Sequence, residues 1–367
     1  MRRLIYALLL ILWPLAAHAQ PVWTQGDKCR VPGGWPLQYG IEDTTGLLGI
    51  FDFANDTNSS ATKNATFSTN NLRLYQGTAD NQSTAVNDPY KVEDFDGNDY
   101  LPQQVISSGI GVSSYTTESG VSTFTDAGQA FTNFQTASGN AAYHIVVTNT
   151  DATISWGYLG AAVDATEIRV YTTRALTTTG WNVTNPATKT PSTYAVYRSD
   201  FNLLGDQTHI LLVKPDDGQP AEQDILVSKW SGTVGQYANY LAIDTDGKLH
   251  IYVSRDGGAT NKFEQRTNAA VFADGAQNKY ILVAATYDSS GSVAIYVDGI
   301  LIPSTITGSF QSSVFDTPAP LMLGARASGT QMLYSGRVGL YIPFARALSA
   351  AENAAIANSC TVQKRLR

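Results

Sequence analysis

Apolar and polar residues alternate with a period of two along most of the chain, and helical periodicity is almost absent. Tyr143, Ile145 and Val147 alternate with His144, Val146 and Thr148. Ile154, Trp156 and Tyr158 share one face, and Ile168, Val170 and Thr172 repeat the pattern. Each run reads as a half-buried antiparallel strand. The signal strengthens later, with strands predicted over 224–230, 240–244, 248–253, 280–287, 293–302, 321–324 and 336–342. Asp246-Gly247 and Asp298-Gly299 separate paired runs, and Asp-Gly supplies the positive φ of a type I′ hairpin. One helix is predicted over 349–357, where Ser349 and Glu352 form a capping box. The class is all-β, and 367 residues exceed one ordinary core, so two cores are expected.

The ends of the chain change the picture. Arg2 and Arg3 precede an apolar run over 4–13, followed by Pro14 and Ala17-His18-Ala19. Residues 1–19 therefore read as a secretory signal peptide with an A-x-A cleavage site. The run has about ten residues, whereas a bilayer crossing needs ~20. No later stretch has that length of apolar sequence, so no membrane span is expected after signal removal. The expected location is extracellular or at the cell surface.

Without Arg2 and Arg3, 22 basic residues face 31 acidic ones, a net charge of -9, and only 15% of all residues are charged. Nucleic acid is excluded as a partner, because neutralising phosphates needs clustered Lys and Arg. Lys364, Arg365 and Arg367 are the single basic cluster and read as a frayed tail over 361–367. Cys29 and Cys360, near opposite ends of the chain, are its two cysteines. Export places them in an oxidising compartment, and domain termini commonly lie close together, so a Cys29–Cys360 disulfide is expected. Two free buried thiols are the alternative.

Asp94-Phe95-Asp96-Gly97-Asn98-Asp99-Tyr100-Leu101 forms one phrase, and residues 199–215, ending in Lys214-Pro215, form its continuation about a hundred residues later. Residues 225–230, Asp246-Gly247-Lys248-Leu249, Tyr296-Val297-Asp298-Gly299, Leu323-Gly324 and residues 346–352 follow in order. This series resembles the laminin-G-like, concanavalin A-like jelly-roll family over about 220 residues in two blocks. The family often has a Trp just before the Lys-Pro strand end, where Leu211 and Leu212 stand here. The resemblance implies an antiparallel jelly-roll β-sandwich over 41–103 and 198–360, preceded by a lead over 20–40 that carries Cys29. Residues 104–197 resemble no family and read as a second small β-sandwich inserted in an early loop. Neighbouring first and last strands of a jelly roll also favour the disulfide.

The family's fold hosts lectins, adhesion modules, glycan hydrolases and structural domains, so function must be argued from sites. Glu93, Asp94, Asp96 and Asp99 are the candidate glycanase carboxylates, but they lack the alternating order that places acid and nucleophile about 5–5.5 Å apart. His209 and His250 lie inside alternating strands, and no Gly-x-Ser-x-Gly elbow precedes a helix. No catalytic residue is assigned. Calcium is the candidate cofactor, since jelly rolls of this type often hold it on loop oxygens. Asp96, Asn98, Asp99 and Asp206 are the candidate ligands, with plain turn chemistry as the alternative.

Tyr237, Asn239 and Trp181 lie near Gly- and Asn-rich stretches and are the candidate ligand-binding residues, placed on loops. The expected function is a secreted, non-enzymatic recognition or adhesion protein binding a glycan or a cell-surface protein. The alternative is a self-associating structural subunit of a surface layer, filament or virus-like particle. A glycan hydrolase stands third.

Overall fold

Two of the three large sheets face each other across one core, and the third lies beside them. The computed structural model describes residues 35–53, 62–64, 73–75, 84–87, 91–96, 101–103, 106–110, 113–118, 121–136, 139–183, 189–230, 237–258, 261–326 and 332–366. The first sheet runs, in spatial order, Ile300–Leu301, Ser292–Val297, Ile281–Asp288, Gln207–Pro215, Ser335–Phe344, Lys91–Asp96 and Thr84–Asn87, with Phe51–Asp52 also on Ser335–Phe344. The second runs Ser304–Gly308, Lys262–Thr267, Leu249–Ser254, Tyr237–Ile243, Asp224–Trp230, Leu321–Leu323 and Leu101–Pro102. All pairings are antiparallel.

Leu211, Val213, Val283, Ile295 and Tyr341 of the first sheet meet Leu226, Leu241, Ile251, Val253 and Phe263 of the second. The opposite face of the first sheet is also covered. Ile210, Leu212, Leu282, Leu340 and Ile342 pack under Tyr39, Ile41, Ile50, Ile356 and Val362. Burial on both faces explains the near-continuous apolar reading of residues 209–213 and 281–285.

The last helices form that cover. Helix α2 (Ala350–Ala357) begins with the expected capping box between Ser349 and Glu352. The expected frayed tail is corrected: Cys360–Leu366 is a helix, α3. Arg365 is buried there, 2.6 Å from the Asp52 carboxylate and 3.0 Å from the Gly339 carbonyl. Pairing on the buried side of a short helix fixes a tail that charge alone makes look solvated.

The two Asp-Gly turns differ. Asp298 (φ 50°) and Gly299 (φ 80°) form the type I′ turn between Ser292–Val297 and Ile300–Leu301. At the other, only Gly247 (φ 75°) has positive φ, and Asp244 and Lys248 close a longer loop through Asp244 N–H to Lys248 C=O at 2.8 Å.

Apart from Arg198, the residue just after it, the third sheet is built from the interrupting segment. Its order is Ser107–Ile110, Pro191–Arg198, Tyr143–Asn149, Ile154–Ala162, Glu167–Tyr171, Val121–Asp126 and Ser113–Glu118, with Asn182–Val183 also on Ile154–Ala162. It is one continuous sheet rather than two facing ones. It rolls over its own core, since Phe124 and Tyr194, from strands four apart in that order, have ring centroids 5.1 Å apart. The chain leaves and re-enters the sandwich at neighbouring points: Gln103 Nε2 donates to the Arg198 carbonyl at 2.5 Å, and Ile106 N–H to that of Val196 at 2.8 Å.

Candidate functional site

Helices and the N-terminal segment roof the outer face of the first sheet; among the described residues no comparable apolar cluster covers the outer face of the second, which is the candidate surface for recognition. Its strands present Trp230, Tyr237, Tyr240, His250, Tyr252, Lys262, Glu264 and Arg266 on alternate positions. Trp230 and Tyr237 stack with centroids 4.1 Å apart and planes within 9°. Tyr240 and Tyr252 stack at 5.2 Å and 11°, and both meet Trp230 edge-on. Trp230 is 7% exposed and Tyr252 3%, so these two form the floor, while half-buried Tyr237 and Tyr240 form the accessible rim. The Arg326 guanidinium lies 5.1 Å over the Trp230 ring, and the Lys262 ammonium 5.2 Å over Tyr252. Such cation–π contacts orient the charges along the platform.

Polar groups border the rings. Burial alone would raise Asp244, but His250 at 3.4 Å, Arg266 at 3.2 Å and the Gln223 amide at 2.6 Å hold its carboxyl below the usual range. Glu264 is likewise held low against its burial, chiefly by the Lys262 ammonium at 2.6 Å. Burial, with the nearby Glu264, pushes the Tyr252 phenol up to about 12 and raises Tyr240 as well. Both hydroxyls therefore stay protonated at neutral pH and can donate. Among the described residues, Trp230 Nε1 and Arg326 Nε are buried without a hydrogen-bond partner. Trp156 Nε1 and Trp181 Nε1, away from the platform, are likewise without a partner, so the platform rests on its ring geometry.

Tyr237 and Asn239 are not on a loop; both lie in the strand Tyr237–Ile243. Strand alternation would place residues two apart on one face. A bulge prevents this: Trp230 pairs with Tyr237 but Lys229 with Asn239, leaving Ala238 extra. Tyr237 consequently faces outward. Asn239 faces the sandwich interior, where its amide donates to Gln207 Oε1 at 2.8 Å beside a cavity of about 20 Å³. Ligand pockets run to about 300–1,000 Å³, so Asn239 is a packing residue. Trp181 packs edge-on against Tyr115 (4.8 Å) and Phe124 (5.8 Å) in the core of the third sheet, away from the platform's rings.

Of the candidate calcium ligands, Asn98 and Asp99 lie outside the described residues, and Asp96 ends the strand Lys91–Asp96. Asp206 accepts from the Ser289 amide at 2.8 Å and hydroxyl at 2.5 Å, which pins the neighbouring turn. Among the described residues no group of three or more His, Cys, Asp or Glu side chains could hold a metal. Cys360 opens α3, and Cys29 lies outside the described residues. No helix among the described residues is long and apolar enough to cross a membrane, which leaves strand-built membrane proteins unaddressed. His209 and His250 are buried strand histidines, and burial lowers His209 to about 4.

Residues 188–352 match the laminin-G family model described as the concanavalin A-like lectin/glucanases superfamily. That stretch of the chain is a laminin-G-like domain of this superfamily. No curated protein sequence matches the chain.

Solved structures similar to it include Ruminococcus gnavus IT-sialidase CBM40 bound to α2,3-sialyllactose, at 18% identity and a TM-score of 0.34, covering 43% of this chain and 85% of that one. A Trypanosoma rangeli sialidase complex is similar at 12% identity and a TM-score of 0.41, covering 89% of this chain and 35% of that one. The botulinum neurotoxin serotype G binding domain is similar at 9% identity and a TM-score of 0.33, covering 75% of this chain and 50% of that one.

Proposed function

We propose that this is a secreted, non-enzymatic recognition protein that binds a glycan on the outer face of its second sheet. The stacked platform of Trp230, Tyr237, Tyr240 and Tyr252, on a face of the concanavalin A-like sandwich that no apolar cluster of the described residues covers, carries this reading. Aromatic faces match the C–H-lined faces of sugar rings, while phenol, amide and charged groups at the border match the hydroxyls.

The electrostatics favour retention over cleavage. Glycoside hydrolysis needs one carboxylic acid whose pKa is raised so that it can protonate the leaving group. Both carboxyls bordering the platform, Asp244 and Glu264, are instead held low by cationic and amide partners. A glycan-array screen of the secreted chain, followed by titration of the best ligand against wild type and Tyr237→Ala, tests the reading. Retention of no glycan would overturn it.

A further inference from the structure

The second sheet ends, among the described residues, on the strand Ser304–Gly308, which pairs with Lys262–Thr267 on one side only. Edge strands are ordinarily blunted by a charge, a proline or a bulge, because their free N–H and C=O groups are a template for another strand. The strand itself has none of these; Pro303 stands just before it, outside the Ser304–Gly308 pairing. Its sequence is Ser-Thr-Ile-Thr-Gly, uncharged, and Thr305, Ile306, Thr307 and Gly308 are all exposed. Ile306 is 43% exposed, and Ile300 (68%) and Leu301 (56%) lie on the matching edge of the first sheet. Ile302-Pro303 joins the two edges, so the three apolar side chains share one flank of the sandwich.

We propose that this edge pairs antiparallel with the same edge of a second copy, about a two-fold axis at Ile306. The strand is self-complementary around that residue. Ile306 meets Ile306 of the other copy on one face, and each Thr305 meets Thr307 of the other copy on the opposite face. Aliphatic pairs and Thr–Thr pairs are both favourable cross-strand neighbours. The arrangement is isologous and closes at two copies.

Charge does not oppose it. The nearest charged row, Lys262, Glu264 and Arg266, is one strand inward. Its copy would lie three strand spacings away, about 14 Å, beyond the ~8 Å screening length at physiological ionic strength. A five-residue edge buries little area, so the dimer is a weak, concentration-dependent one.

The two-fold axis stands perpendicular to the joined sheet, so both outer faces point the same way. The two Tyr240 strands would be seven spacings, about 34 Å, apart on one continuous sheet. On the glycan-binding reading, on which this consequence rests, a weak dimer becomes a bivalent binder of a repetitive surface.

Sedimentation velocity of the full chain from micromolar to millimolar concentration tests the dimer, using wild type, Ile306→Lys, Ile306→Glu and an equimolar mixture of the two variants. Wild type should dimerise as concentration rises. Each variant alone should stay monomeric with an unchanged melting temperature, and the mixture should regain the dimer. A wild type that stays monomeric throughout, or an Ile306→Lys protein that dimerises equally well, would overturn the proposal. A mixture that fails to associate would overturn the two-fold register. One-to-one glycan titration of monomeric Ile306→Lys should match wild type, so loss of the dimer and loss of the glycan reading give separate results.

Discussion

The Tyr158 hydroxyl lies 2.6 and 2.7 Å from the two carboxylate oxygens of Asp316 and donates to that carboxylate, joining the third sheet to the sandwich. Asn202 Nδ2 donates to the same hydroxyl at 2.8 Å. Tyr158 is fully buried and Asp316 half-buried, and desolvation raises the pKa of both groups. A polar contact so enclosed is strong when complete and costly when broken. Tyr158→Phe should therefore destabilise the protein by about 1–3 kcal/mol. A double-mutant cycle with Asp316→Asn should show coupling of at least about 0.5 kcal/mol in urea unfolding. Additive effects would mean that the seam is held elsewhere.

Lys229 sits at the same seam, 4% exposed, with its ammonium 2.5 Å from the Ala319 carbonyl. Burial lowers its pKa from 10.5 to about 7, partly offset by Asp316 and assisted by Arg174. Above about pH 7 the folded chain has released a proton that the unfolded chain still holds, so stability rises with pH up to about 10.5. The slope is at most about 1.4 kcal/mol per pH unit. Urea unfolding across this range should show the rise in wild type and lose it in Lys229→Met. Parallel curves for the two proteins would contradict the assignment.

The period-two pattern and the turn residues made much of the sandwich legible. The strands around Asp246-Gly247 and Asp298-Gly299 pair as their alternation predicts, and the Ser349–Glu352 capping box starts the helix expected there. Both signals are local, so residue order carries them. The seam was not legible, because Tyr158, Asn202, Lys229 and Asp316 meet only once the third sheet docks. The site was half legible. Tyr237 is on the platform, but one bulged residue, Ala238, turns Asn239 inward. Trp181 sits beside a polar stretch in sequence, yet two aromatic neighbours claim it for the core.

Replacing residues 104–197 with a short Gly/Ser linker should leave a cooperatively folding sandwich. The contacts of Gln103 with Arg198 and of Ile106 with Val196 show that the gap to be closed is short. The loss of Tyr158 should lower stability, and the newly hydrated Lys229 should lose its pH-dependent contribution. A truncated chain without a near-UV circular dichroism signal would show that the third sheet is required for folding.

The Cys29–Cys360 disulfide should close the chain. With only two cysteines, labelling of the unreduced, denatured protein should find no free thiol. On the chain-entropy model, a bridge over so long a loop stabilises by roughly 4–5 kcal/mol, so reduction should lower the melting temperature clearly. Two labelled cysteines would exclude the bridge.

The ligand should lie on the outer face of the second sheet and leave unchanged. The direct test is calorimetric titration of the best array glycan into wild type and Tyr237→Ala, with melting curves and a reducing-sugar assay on the same samples. Tyr237 is a half-buried rim residue, so its removal should weaken binding about tenfold, ~1.4 kcal/mol. The melting temperature should hardly move, and no reducing sugar should appear. Equal affinity in both proteins, or sugar released by the wild type, would contradict the account.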